Sequence, residues 1–262
     1  MKNTFLQKLR QGEPCLGTFS YLATGNAVEA LSYTGLDFLI FDAEHGTVQS
    51  ETAEDLIRAA KLHGLTPLVR TQDTSRSSLL KMLEAGAHGL VVPQLHTLEQ
   101  ARSLVRDAKY FPIGMRGVAI GCSGGYGYEP FAAQGLQNYF DVCNRETLLF
   151  PQCETRGCLE SIEAIVQLEG IDGIFVGPYD LSVALGQPGR FDTEEFQNAV
   201  ARILAAAKEA GKRAIMYTVD PAQAPEFFQR GFDAVTLGTD LKLMISQLRP
   251  VVKRAKEVMP VK

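Results

Sequence analysis

A chain of 262 residues can bury one large core and falls in the size range of a single α/β barrel. Its 26 basic and 30 acidic side chains leave a net charge of -4, which steers it toward neither nucleic acid nor anionic membrane and points to small solutes as partners. No run of about 18 apolar residues occurs, the Met1-Lys2-Asn3 start leads into polar residues, and five cysteines without a Cys-x-x-Cys pair argue for reduced thiols, so the chain reads as cytoplasmic.

Along the chain the first apolar run, Leu16 to Ser20, predicts a strand. Gly35 then ends a helical pattern two residues before a second run, Phe38 to Asp42. The phrase of helix, glycine, two residues and strand recurs at Gly64 and Gly86, leading to Leu68 to Arg70 and Leu90 to Pro93. Thr97 with Gln100 reads as a capping box opening the next helix. Gly114 to Tyr128 is rich in glycine and reads either as a mobile flap whose tyrosines contact substrate or as a plain connection.

Leu148 to Gln152 follows, and Gly170, Gly211 and Gly231 precede the runs Gly173 to Gly177, Ala214 to Thr218 and Ala234 to Gly238. Asp192 with Glu195 predicts a further capping box, and Asp220-Pro221 an N-cap with proline at the first helical position. A last helix, roughly Asp240 to Val258, carries Leu241, Met244, Ile245, Leu248, Val251 and Val252 at helical spacing. It either covers the barrel or packs on a neighbouring protomer.

Glycine suits the left-handed turn that ends a helix, and a repeated helix-to-strand step generates parallel strands with helical crossovers. Eight such strands in one domain over residues 1–262 predict an α/β fold of the (β/α)8 or TIM-barrel type. The rival, a doubly wound open sheet, lacks a Gly-x-Gly-x-x-Gly turn after its first strand.

In a barrel of this kind chemistry sits at the carboxyl ends of the strands. The residues there are Ser20, Asp42 through His45, Arg70, Gln94, Gln152 through Glu154, Pro178 through Asp180, Tyr217 and Thr239. None of the eight runs contains a lysine, which argues against an imine mechanism and leaves a metal ion as the simplest electron sink. Glu154 and Asp180 end consecutive strands and together make a hard-oxygen pair suited to Mg2+ or Mn2+. Read alone, each acid would as readily cap the helix that follows. His45 beside two acids suits proton exchange near neutral pH, whereas His63, His88 and His96 fit structural positions. Arg70 needs an anion, which is Asp42, Glu44 or a charge that develops on substrate.

Asp42-Ala43-Glu44-His45, Arg70, Gln152-Cys153-Glu154-Thr155 and Gly177-Pro178-Tyr179-Asp180-Leu181-Ser182, in that order, resemble the HpcH/HpaI family of metal-dependent 2-oxo acid aldolases, as does Phe111-Pro112-Ile113-Gly114-Met115-Arg116-Gly117. The resemblance implies a barrel of the phosphoenolpyruvate/pyruvate type in which Glu154 and Asp180 hold one divalent ion, Mg2+, Mn2+ or Co2+. His45 would serve as acid/base, Arg70 would steady the enolate oxygen, Gln152 and Tyr179 would line the pyruvate pocket, and Asp42 would join the catalytic set. Glu84, in the helix before the fourth strand, would orient and polarise His45.

The same resemblance implies reversible cleavage of a 4-hydroxy-2-oxo acid into pyruvate and an aldehyde, in a homo-oligomer, by resemblance a hexamer, with the last helix exchanged or packed between protomers. Three other readings share these residues. A citryl- or malyl-CoA-type lyase would need more basic residues at the mouth than Arg70 and Arg116. A metal-enolate epimerase or isomerase would exchange solvent protons without cleavage, and a barrel that binds a 2-oxo acid without turnover would do neither.

Overall fold

Short runs rich in valine, isoleucine, leucine and phenylalanine form parallel strands in the computed structural model, which describes residues 3–257. They are β1 (Cys15–Ser20), β2 (Phe38–Asp42), β3 (Thr66–Arg70), β4 (Gly89–Val92), β5 (Leu148–Cys153), β6 (Gly173–Val176), β7 (Arg213–Thr218) and β8 (Ala234–Thr239). Each pairs with the next, and β8 pairs with β1 to close the ring. Bounds move by one or two residues from those predicted because pairing, not apolarity, decides where a strand starts: Thr66 is polar yet sits opposite Phe38.

The six glycines that punctuate the sequence all adopt left-handed φ, from 68° at Gly211 to 105° at Gly231. At Gly231 the turn lets its N–H reach the carbonyls of Phe227 and Phe228, satisfying the end of helix Ala224–Arg230. Thr97 and Gln100 form the expected capping box. Of the other two helix starts, the first needs correction and the second holds, on a 3-10 turn. Thr193, not Asp192, caps helix Glu194–Glu209 by accepting from the Phe196 N–H. Asp220 caps a 3-10 turn, Pro221–Gln223, which precedes the helix.

Side chains alternate across each strand, so the two faces build two cores. Phe38, Ile40, Leu68, Phe150, Phe175 and Ile215 fill the barrel interior, while Leu39, Phe41, Val69, Leu90, Ile174 and Met216 meet the surrounding helices. Helix Thr4–Gln11, which no sequence signal announced, closes the end where the strands begin. Its Phe5 is fully buried with its ring centroid 4.5 Å from that of Phe38. Asn3 caps this helix and donates its amide to the carbonyl of Glu146, 2.9 Å away.

The last helix, Asp240–Glu257, begins where predicted; Val258 lies outside the described residues. Met244, Ile245, Leu248, Val251 and Val252 remain 45 to 56% exposed, so this face covers nothing among the described residues. The glycine-rich connection holds a 3-10 turn, Cys122–Gly127, and a short helix, Pro130–Ala133.

Candidate active site

The period of two that fills the barrel also builds its mouth. One inward step beyond Ile40 comes Asp42, beyond Leu68 Arg70, beyond Phe150 Gln152 and then Glu154, beyond Phe175 Gly177, and beyond Ile215 Tyr217. The interior therefore turns from hydrocarbon to charge and amide at the carboxyl ends of five strands. There a cavity of about 250 Å³ is lined by Arg70, Gln152, Gly177, Tyr217, His45, Tyr179 and Asp180, with Phe19, Tyr21, Phe175, Pro178 and Thr239 completing the wall.

Asp42 is fully buried and saturated with donors. It accepts from Tyr21 Oη at 2.6 Å, from Arg70 Nε at 2.9 Å and Nη2 at 2.5 Å, and from the backbone N–H groups of Glu44 and His45. Burial opposes its charge, but Arg70 outweighs burial and holds the carboxyl below the usual carboxylate range. Asp42 therefore does not line the cavity. It holds the Arg70 fork and accepts from the turn that carries His45.

Glu44 Oε2 stands 3.2 Å from Arg70 Nη1, out of hydrogen-bond alignment, and 3.8 Å from His45 Nε2. Burial, with Asp42 and Asp180 adding to it against Arg70, pushes the Glu44 carboxyl up to about 7. The His45 side chain is largely exposed where it lines the cavity.

Glu154 is 2% exposed. Its Oε1 accepts from the Gln94 N–H at 2.8 Å and Gln94 Nε2 at 3.1 Å, and Gln152 Nε2 donates to its Oε2. Gln94 adopts a left-handed φ of 54° at this point, a conformation that costs a non-glycine residue free energy. Burial pushes the Glu154 carboxyl up to about 7, with the charges of Asp180 and Glu44 adding to it.

Neither Glu154 nor Asp180 enters an ion pair among the described residues. A buried carboxylate with neutral donors, a second carboxylate in electrostatic contact and no cation of its own fits a divalent ion. Gly177 leaves room for it: a Cβ there would lie 2.6 Å from Glu154 Oε2 and 2.9 Å from Gln152 Nε2. No group of three or more His, Cys, Asp and Glu side chains suited to a metal occurs among the described residues. Glu154 and Asp180 are the two carboxylates that such an ion would find here. Gln152, 2% exposed, keeps an Oε1 without a partner on the cavity wall.

One expectation fails within the chain. Glu84 is the last residue of helix Arg76–Glu84, which descends to the start of β4, whereas His45 follows the end of β2. The two residues sit at opposite ends of the barrel, so Glu84 does not polarise the His45 of its own chain. Of the two readings of the glycine-rich segment, the plain connection is the one its contacts favour, since it runs along the outer helices. Cys122 approaches Gly86, and Tyr126 Oη donates to Glu54 at 3.3 Å on an outer helix. It is no flap over this mouth.

Tyr21, Phe19, Phe175 and Asp240 escaped sequence reasoning. Phe19 and Phe175 were legible as inward positions of their strands. Asp240 accepts from Ser20 Oγ at 3.2 Å and from the Tyr21 and Leu22 N–H groups at 3.0 Å, which pins the end of β1 against the end of β8.

A family model described as HpcH/HpaI aldolase/citrate lyase matches residues 16–247. A 2-keto-3-deoxy-L-rhamnonate aldolase of Klebsiella pneumoniae is 33% identical over 249 residues, 95% of this chain and 91% of the relative. One of Salmonella gallinarum is 32% identical over 265 residues, covering 100% of this chain and 96% of the relative. Among solved structures, an HpcH/HpaI aldolase from Desulfitobacterium hafniense matches with a TM-score of 0.91 and 27% identity over all of both chains. A family protein from Burkholderia cenocepacia matches at 0.89 and 28%, over 97% of this chain and 100% of that one.

Proposed function

The chain belongs to the HpcH/HpaI aldolase/citrate lyase family, and from the geometry of its mouth we propose that it is a divalent-metal-dependent aldolase acting reversibly on a 4-hydroxy-2-oxo acid to give pyruvate and an aldehyde. The observation that carries this reading is Glu154, a buried carboxylate without a cation, held by Gln152, which lines a single cavity together with Asp180 and Arg70. Glu154 and Asp180 would hold the ion, with Mg2+, Mn2+ and Co2+ as candidates. When bound there it supplies Lewis-acid polarisation of the 2-oxo group, worth several kcal/mol in comparable sites.

The chain's own groups account for the rest. Gln152 and Tyr179 wall the end of the cavity that receives the 2-oxo acid. Arg70, locked in orientation by Asp42, offers a permanently charged donor to the oxygen that becomes anionic when a proton leaves carbon 3. His45 accepts that proton during exchange. In condensation the carbon so freed bonds to the aldehyde carbon, and the aldehyde oxygen takes a proton from His45; cleavage runs the same path backward, with the 4-hydroxyl proton passing to His45. Arg70 is the one cationic side chain among the cavity's described lining residues, which disfavours a CoA thioester with its several phosphates.

We further propose a homo-oligomer in the cytoplasm. The exposed apolar stripe of helix Asp240–Glu257 needs a partner of its own kind, and Glu84 would reach a His45 only across a subunit boundary. All five cysteines are free thiols, and no helix among the described residues is long and apolar enough to cross a membrane. A monomer by light scattering would remove the assembly. For the chemistry, incubation with pyruvate in D2O, followed by NMR of the methyl signal, is expected to give exchange with Mn2+ and none after chelation. Exchange that survives exhaustive chelation, or that persists in His45→Ala, would refute the assignment.

A further inference from the structure

We propose that a second cavity, beside the pyruvate pocket and separate from it, binds an α-amino acid with an apolar side chain, aromatic or branched, through both of its charges. This site goes beyond the aldolase reading and does not depend on it. The cavity measures about 300 Å³, the small end of the range that small-molecule sites occupy, roughly 300 to 1,000 Å³. It lies between the starts of helix Glu194–Glu209 and helix Ala224–Arg230 at the end of β7. Pro178, Tyr179 and Tyr217 line both cavities and form the wall they share.

Part of this space is walled by hydrocarbon. Phe196, Met216 and Phe227 line it and are all buried. Phe191 stands over them, its ring centroid 5.3 Å from that of Phe196 and 5.0 Å from that of Tyr179. An apolar side chain seated among these groups exchanges water for ring faces.

The charged groups around it select the ligand. Arg230 is partly buried, with its guanidinium carbon 5.6 Å from the centroid of the Phe227 ring, and it has neither a hydrogen bond nor an ion pair among the described residues. Glu226 precedes it by one turn of the same helix, the spacing at which opposite charges pair, yet the two do not pair. Asp192, exposed on the connection into helix Glu194–Glu209, has no cation either, and the hydroxyls of Tyr179 and Tyr217 donate to nothing among the described residues. A ligand with a carboxylate alone meets Arg230 but also two like charges, and one with an amine alone meets the two acids but also Arg230. An α-amino acid carries carboxylate and ammonium on one carbon. It gives the first to Arg230 and the second to Glu226 and Asp192, and leaves its side chain to the rings.

The test uses three probes that share one ring. The whole protein, with Mg2+ and with or without excess pyruvate, is titrated with L-phenylalanine, with 3-phenylpropanoate, which lacks the ammonium, and with 2-phenylethylamine, which lacks the carboxylate; saturation-transfer NMR reads binding. L-Phenylalanine is expected to bind about tenfold or more tightly than either single-charge probe, with pyruvate present as without it. Arg230→Gln is expected to weaken its binding about tenfold, toward that of the amine, and Glu226→Gln to weaken it toward that of the carboxylate, while the far-ultraviolet spectrum stays native. Should either variant not fold, the three wild-type titrations decide alone. No contact from L-phenylalanine at millimolar concentration, equal affinity for a single-charge probe, binding that pyruvate displaces, or affinity unmoved in both variants overturns the inference. None of these outcomes bears on the aldolase reading, which pyruvate methyl exchange tests by itself.

Discussion

Replacing Glu154 by glutamine keeps the shape of the side chain and removes the charge that burial penalises. In the metal-free protein this carboxyl holds its proton to about pH 7, against an ordinary 4.5. Between those values the folded chain carries a proton that the unfolded chain has released, so stability is greatest below pH 4.5 and falls as pH rises. At about 1.4 kcal/mol per pH unit the loss reaches about 3 kcal/mol by neutrality. Glu154→Gln lacks this contribution. It keeps an acceptor for Gln94 but turns an amide toward Gln152 Nε2, a mismatch of about 1 kcal/mol. Metal-free variant is therefore expected to exceed metal-free wild type by about 2 kcal/mol at pH 8 and to fall about 1 kcal/mol below it near pH 4. Mn2+ at a hundredfold over its Kd should add about 2.7 kcal/mol to the wild type and far less to the variant. Urea unfolding followed by circular dichroism at the two pH values, with and without Mn2+, reads all of this. Parallel pH slopes for the two proteins, or equal stabilisation by Mn2+, would show that Glu154 is neither desolvated nor a ligand.

Three other outcomes follow from the same geometry. Arg70→Ala leaves Asp42 buried without its cation and is expected to cost about 3–5 kcal/mol in urea unfolding, together with about a hundredfold of pyruvate methyl exchange; a loss under 1 kcal/mol would contradict the buried pair. Gly177→Ala drives a methyl into the Glu154 and Gln152 side chains, so Mn2+ affinity by titration calorimetry should drop about tenfold or more while the far-ultraviolet spectrum stays native. Phe5→Ala opens a cavity at the far end of the barrel and should cost about 3–5 kcal/mol, with Mn2+ affinity unchanged; a changed affinity would mean that the two ends are coupled.

The barrel was legible because its signals are local and repeated. Gly35, Gly64 and Gly86 mark helix ends through a backbone geometry that other residues avoid, and apolar runs between them leave little choice but strands. The inward acids were legible for the same reason, since parity along β2 and β5 fixes Asp42 and Glu154 once Phe38 and Leu148 face the interior. Glu84 misled because residue type was matched without asking which end of the barrel a helix terminus reaches. Residues 110–135 follow neither period; Tyr110 packs there against Tyr139 of helix Leu136–Glu146, a contact distant in sequence that a one-dimensional pattern does not carry. Helix Thr4–Gln11 is short, and its burial depends on a barrel interior that exists only after folding.

The clasp between Asp240 and the Tyr21 N–H joins positions 219 residues apart. Ribosomal synthesis delivers those partners at opposite extremes of elongation, so an incomplete polypeptide owns every carboxylate of the mouth yet presents no enclosed chamber. Competence arrives in one stroke, when the eighth strand zips to the first, and a product truncated before Asp240 should be inert however well its earlier strands assemble.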